Sequence, residues 1–134
     1  MRHYACAILV DGERLLLGFR AAHKKILPCK WDVLGGMVEP GETLEAALVR
    51  ELHEEIGVVP QRFDRLGSVV DPNEIERGGA TYHLFKVSSW AGGSPEIRNY
   101  EHTHLAWFTL AEALALPDLA LEEYLPFFEQ ALNR

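Results

Sequence analysis

Apolar and polar positions divide this chain into strand-like runs, turns and three helical stretches. Tyr4 to Val10 is rich in aliphatics and predicts a strand. Arg14 to Phe19 predicts its returning partner, with Asp11-Gly12 as a two-residue hairpin signal between them. Trp31 to Leu34 reads as a short strand feeding Gly35-Gly36. Phe63 to Val70 and Thr81 to Trp90 read as two longer strands, paired antiparallel across a polar loop that runs from Asp71-Pro72-Asn73 to Gly78-Gly79. Ala91 to Pro95 is a loop, and Leu105 to Thr109 a last short strand. Thr109 and Glu112 form a capping box for a short helix that Pro117 closes. The C-terminal segment is helical and amphipathic, starting close to Pro126, with Leu125, Phe128 and Leu132 as its packing face. Helix-period and strand-period segments alternate without an internal repeat or a linker. The expected fold is α/β, an α/β/α sandwich with a mixed β-sheet between helices, built as one domain over residues 1–134.

The middle of the chain is the most informative. Thr43 is a helix N-cap, Gly57 suits the left-handed residue that stops a helix, and Leu48, Leu52 and Ile56 recur between them as an apolar stripe. Glu51, Glu54 and Glu55 stand at i, i+3 and i+4, within one narrow arc at about 100° per residue. They crowd the last turns, where the macrodipole is negative. Each carboxylate there costs roughly 0.3–1 kcal/mol, and like charges at i, i+4 cost a few tenths more. Folding alone would favour Lys or Arg. Either these acids form a solvated face, as most charge runs do, or they converge on a hard divalent cation, which takes oxygen ligands. Arg50 lies four residues before Glu54, within pairing reach. Gly35-Gly36 lets backbone come close to a ligand, and a freed carbonyl there can join a coordination sphere.

Gly36, Glu42 and the run Arg50-Glu51-Leu52-His53-Glu54-Glu55-Ile56-Gly57-Val58 together resemble a complete Nudix box, Gly-x5-Glu-x7-Arg-Glu-U-x-Glu-Glu-x-Gly-U with U bulky and aliphatic. Every fixed position matches, and the flanking strands and Trp107-Phe108 also fall where that family has them. One departure is Leu34, where the family more often has Pro. The resemblance implies a hydrolase that cleaves the diphosphate linkage of a nucleoside diphosphate derivative with Mg²⁺, or Mn²⁺ as substitute. It implies Glu51, Glu54 and Glu55 as principal ligands, the Gly35 carbonyl as a further one, and Glu42 in support. Arg50 would hold the catalytic carboxylates. The general base would be Glu54 first, then Glu51 or Glu101, with Glu96 as the fallback for Glu101. Arg20 would contact substrate phosphates, a task that suits its planar fork, and Glu39 would contribute at the outer edge of the metal and substrate site.

Composition adds bounds. The chain has 134 residues and a formal net charge of −7, which argues against a nucleic-acid polymer or a membrane surface as partner. Six of the twenty acids lie between Glu39 and Glu55. Cys6 and Cys29 make no metal-type pair and no disulfide scaffold; with no apolar leader and no membrane-length stretch, a cytoplasmic protein is expected, monomer or homodimer. The six histidines lack H-E-x-x-H spacing; His102 and His104 are minor candidates for substrate contact. Lys24 and Lys25 read as solubilising loop residues.

Substrate identity is less legible. Tyr4, Phe85, Trp90 and Trp107 can stack on a base, though such residues more often fill cores. Pro72 and Tyr82 are not at the spacings favoured by Nudix subfamilies specialised for ADP-ribose, dinucleoside polyphosphates or coenzyme A. A compact chain points by analogy to a nucleoside triphosphate, either ordinary or oxidised. Two rivals are a non-catalytic Nudix-fold nucleotide-binding or regulatory module and an unrelated acidic α/β protein binding structural Ca²⁺. The first is expected to lose box carboxylates, and the second leaves Arg50 and the glycines unexplained.

Overall fold

A computed structural model describes residues 2–71 and 78–133. The middle of the expected polar loop, with Pro72 and Asn73, lies outside the described residues. One mixed sheet of seven strands runs through the molecule: β1 (Arg2–Asp11), β2 (Arg14–Arg20), β3 (Trp31–Asp32), β4 (Leu34–Met37), β5 (Val59–Val70), β6 (Ala80–Ala91) and β7 (His102–Thr109). The spine is β3-β2-β1-β6-β5, with β4 added to β1 and β7 added to β2. Strands β1 and β6 are parallel, and the other pairings described among these seven strands are antiparallel.

The aliphatic run in β1 is continuous because both of its faces are covered. Ala5, Ala7 and Leu9 pack with Leu16, Phe85 and Val87 against Leu48, Leu52 and Ile56 of α1 (Leu44–Ile56). On the opposite face Cys6 and Ile8 join Leu15, Leu17 and Leu84 under α2 (Leu110–Leu114) and α3 (Leu125–Asn133). Alternation by two therefore feeds two cores, and the expected sandwich is present. In α3 it is Phe128 and Ala131 that are buried, with Leu125 and Leu132 at the margin.

Several boundaries differ from expectation; β5 starts at Val59, not Phe63, and β1 at Arg2, not Tyr4. The hairpin turn is Gly12-Glu13, since Asp11 already pairs with Arg14. The stretch Trp31 to Leu34 divides: Trp31–Asp32 pairs with β2, whereas Leu34–Met37 pairs with β1. At this changeover the Val33 N–H donates to Asp32 Oδ1 at 2.8 Å, which satisfies a backbone donor that leaves the ladder. Strand β7 starts at His102, not Leu105, through backbone pairing of His102 with Arg20 across a bulge.

Helix α1 has the caps its sequence announces. Thr43 accepts from the Ala46 N–H at 3.1 Å, and Gly57 closes the helix with φ 73°. Burying Leu48, Leu52 and Ile56 contributes about 1.5–3 kcal/mol each. That exceeds the few kcal/mol by which three C-terminal carboxylates oppose the helix. The packing of α1 therefore carries an acidic end that propensity alone would reject.

Candidate active site

The helix arc of acids lies across the boundary between core and solvent. Glu55 falls on the apolar stripe, seven residues after Leu48, and is 1 % exposed. Glu51 stands beside it with its side chain 14 % exposed, and Glu54 is turned outward at 56 %. Oxygens of Glu51, Glu55 and Glu101 all lie within 4.8 Å of one another. Glu101 comes from the segment just before β7, so helix and sheet edge meet at this point.

Arg50 organises the near side of the cluster. Its Nε donates to Glu42 Oε2 at 2.7 Å and its Nη2 to Glu42 Oε1 at 2.9 Å, a bidentate pair. Its Nη1 donates to Glu51 Oε2 at 2.7 Å and to Glu54 Oε2 at 3.3 Å, while Nη2 also reaches the Met37 carbonyl. The expected Arg50–Glu54 pairing exists, but the shorter bonds go to Glu42 and Glu51. Glu39 lies 3.7 Å from Arg50 Nε, and its own N–H is accepted by Glu42 Oε1. Hydrogen bonding to Arg50 lowers the Glu42 pKa to about 2.

The far side is buried and short of partners. Burial raises the pKa of Glu55 well above the usual carboxylate range, and the nearby Glu101 adds to the shift. Burial also raises Glu51, against the opposing pull of Arg50. Glu55 Oε1 lies 3.4 Å from the Gly35 N–H and 3.5 Å from His102 Nδ1, and Glu55 Oε2 has no hydrogen-bond partner. Burial lowers the His102 pKa to about 4, so its ring is neutral at neutral pH. A compact set of carboxylate oxygens, one of them buried and unpaired, suits a hard divalent cation and its oxygen coordination.

Glu51 and Glu101 of the cluster line a cavity of about 540 Å³. Gly35, Gly36, His23, Lys24 and Lys25 line it with them. Tyr4, Tyr82, Asp32 and Tyr124 line it as well. Arg20 faces this cavity but is engaged within the protein: Nε and Nη2 hold the Ile26 carbonyl, Nε also reaches that of Leu27, and Nη1 lies 3.5 Å from Asp32. Of the four candidate stacking aromatics only Tyr4 lines the cavity. Phe85 is core, and Trp90 and Trp107 stack on each other at 6.2 Å. Glu96 is placed by its backbone on the Ile56 carbonyl, and the His104 ring nitrogen meets the Thr103 hydroxyl; neither residue lines the cavity.

Lys24 was expected to be a solubilising loop residue but lines the cavity and pairs with Glu101, and Asp32, Tyr82 and Tyr124 had no signal as site residues in the chain. They converge only through the course of the 21–30 segment and the approach of α3's lead-in to β3. Glu55 did carry one, an acid on the apolar repeat of Leu48 and Leu52.

The NUDIX domain family profile matches residues 1–130. The chain belongs to the Nudix family. Among curated relatives it resembles nucleoside triphosphatase NudI of Enterobacter sp. (strain 638), 41 % identical over 98 % of this chain and 97 % of that one. It also resembles the CTP pyrophosphohydrolase of Escherichia coli (strain K12), 33 % identical over 87 % of this chain and 82 % of the relative. The crystal structure of MutT NUDIX hydrolase from Burkholderia pseudomallei superposes with a TM-score of 0.83 at 25 % identity, covering 96 % of each chain. Among the described residues no helix is long and apolar enough to cross a membrane.

Proposed function

We propose that this Nudix pyrophosphohydrolase cleaves a nucleoside triphosphate, ordinary or oxidised, to the monophosphate and pyrophosphate, using Mg²⁺ or Mn²⁺. The observation that carries the reading is the meeting of Glu51, Glu55 and Glu101 within 4.8 Å, with Glu51 and Glu101 lining a nucleotide-sized cavity that Lys24 and Lys25 also line. The names of the NudI and CTP pyrophosphohydrolase relatives support a nucleoside triphosphate over other diphosphate derivatives.

Glu51, Glu55 and Glu101 would hold the divalent ion, with Glu54 and the Gly35 carbonyl contributing. A bound ion would supply neutralisation of diphosphate charge and a lower pKa for water beside it. Glu54, the most exposed of the three helix acids, accepts the proton from the attacking water. Glu101 is less free for that task, since Lys24 and Asn99 Nδ2 each hold one of its oxygens at 3.1 Å. Arg50 fixes Glu51 and Glu54 in place and uses Glu42 as its anchor. Arg20 fastens the 26–27 segment of the cavity wall, and Glu39 screens the outer side of Arg50. The free thiols of Cys6 and Cys29 support a reducing compartment, and we place the enzyme in the cytoplasm.

The deciding experiment is release of pyrophosphate from a panel of ordinary and oxidised nucleoside triphosphates with Mg²⁺, against an EDTA blank. Turnover that EDTA abolishes is expected. No turnover on any triphosphate would leave a nucleotide-binding module in its place.

A further inference from the structure

Each acid of the cluster has a different neighbour. Glu51 is paired with Arg50, Glu55 lies against neutral His102, and Glu101 is paired with Lys24, whose Nζ lies 3.1 Å from Glu101 Oε1. The lysine is not a free surface residue: its side chain is 25 % exposed and lines the cavity with Glu51 and Glu101. Its backbone is also set relative to Glu101. The Ala21 N–H donates to the Glu101 carbonyl at 2.9 Å, and the Lys24 N–H to the Ala21 carbonyl at 3.2 Å, so the turn that carries the ammonium hangs from the residue it neutralises.

An ammonium is a compact point charge on a flexible four-carbon stem, with three donors that can change partner at little strain. Glu101 offers its oxygen either to that ammonium or to a divalent ion. We infer that Lys24 is a counter-ion exchanged at the metal site: it holds Glu101 when no divalent ion is bound, and turns to the substrate's phosphate oxygens once one is. This rests on the metal-dependent reading proposed above. Its consequence is a coupling of definite sign. Without phosphate, Lys24 competes with the metal for Glu101. With phosphate, the same charge favours the ternary complex, so metal and diphosphate bind more tightly together than the separate affinities predict.

The two halves of the inference are separable by measurement. Mn²⁺ binding is titrated with no phosphate present, and inorganic pyrophosphate binding is titrated at saturating Mg²⁺, for the wild type, Lys24→Met and Lys24→Gln. Losing the competing ion pair should tighten Mn²⁺ about two- to fivefold. Losing a charge-assisted bond to phosphate should weaken pyrophosphate about tenfold. Lys86→Met, a charge loss on β6 away from the cavity, should move neither affinity. Effects of opposite sign cannot come from a merely loosened loop, which would weaken both. Unchanged or weaker Mn²⁺ binding in both Lys24 variants overturns the exchange, whatever the activity. A wild type that binds no Mn²⁺ would sink the metal-dependent reading itself, and this inference with it.

Discussion

Gly35 and Gly36 are adjacent in β4, yet adding a methyl group to each should break different things. At Gly36 the backbone has no positive φ, and a Cβ there would overlap the Glu51 carboxylate, with Glu51 Oε2 at 2.8 Å. That carboxylate is the end of a flexible side chain, so the strand can keep its pairing with Ala5 while Glu51 rotates away. Glu51 then leaves the oxygens of Glu55 and Glu101, and Arg50 Nη1 loses its 2.7 Å partner while Nε keeps Glu42. A displacement of about 1 Å at a reacting centre costs on the order of 10²-fold in rate. Gly36→Ala should therefore lower kcat/KM about 100-fold, or about 2.7 kcal/mol of transition-state stabilisation. Its Tm should fall by no more than about 4 °C, since one ion pair is worth about 1 kcal/mol or less. Gly35 has φ 138°, and a Cβ there would overlap the Ala5 carbonyl oxygen and lie 2.8 Å from Cys6 Cα. Neither backbone atom can turn aside. Strain alone is about 1–3 kcal/mol, so Gly35→Ala should melt distinctly lower. Thermal unfolding, Mn²⁺ titration and pyrophosphate release on both variants separate the cases. A Gly36→Ala enzyme with wild-type turnover and Mn²⁺ affinity would refute the placement of Glu51 in the site.

Glu54→Gln should lower kcat at least about 100-fold with the melt unchanged, because its outward side chain carries little packing; near-normal turnover removes it as the general base. Arg50→Lys should lower stability by about 1–3 kcal/mol and impair turnover, because an ammonium cannot keep both oxygens of Glu42 together with Glu51; an unchanged denaturant midpoint would show the fork to be dispensable. The Glu42 pKa lies at about 2 against an ordinary value of 4.5, so its contribution to stability is present above pH 4.5 and is lost as pH falls towards 2. The gap in Tm between wild type and Glu42→Gln should accordingly close across that interval, and a gap independent of pH contradicts the pairing. Mn²⁺ at one hundred times its Kd should stabilise the fold by about 2.7 kcal/mol, read as an upward shift in Tm that EDTA reverses; no shift would mean the ion does not prefer the folded site.

Much of the scaffold was legible because its cause is local. Thr43 and Gly57 are caps whose chemistry is written in their side chains, and the stripe of Leu48, Leu52 and Ile56 sets the buried face of α1. Strand β1 could be read from aliphatic density, since both faces are covered. The polar start of β7 could not, because His102 to His104 is held by backbone pairing with β2 and its side chains carry no strand pattern. The hairpin moved by one residue because Asp11-Gly12 and Gly12-Glu13 are nearly equivalent as composition. In the site, spacing placed Glu51, Glu54 and Glu55 on one arc. The burial of Glu55 beside exposed Glu54, one residue and about 100° away, followed only from the apolar repeat of Leu48 and Leu52 on which Glu55 falls. The position of Lys24 depends on where an aperiodic loop lies against the segment before β7, which no local pattern encodes.

The arrangement of counter-charges suggests why so acidic a site is compatible with a stable fold. Were all three acids ionised, each pair 4.8 Å apart would repel by roughly 3–4 kcal/mol at an effective dielectric of about 20, and the cluster contains three such pairs at or inside that distance. The pKa of Glu55, raised by burial and further by Glu101, is one response to that cost. Unrelieved, that would rival the burial of the whole α1 stripe. The relief is unequal. Glu51 and Glu101, the partly exposed members, each have a cation, whereas buried Glu55 has only a neutral imidazole and an unpaired oxygen. Supplying Glu55 with its own arginine would stabilise the metal-free fold, but it would also fill the space proposed above for a divalent ion. The fold instead leaves the deepest acid without a cation and places cations on the other two, so binding of the proposed ion would give the site its largest electrostatic gain.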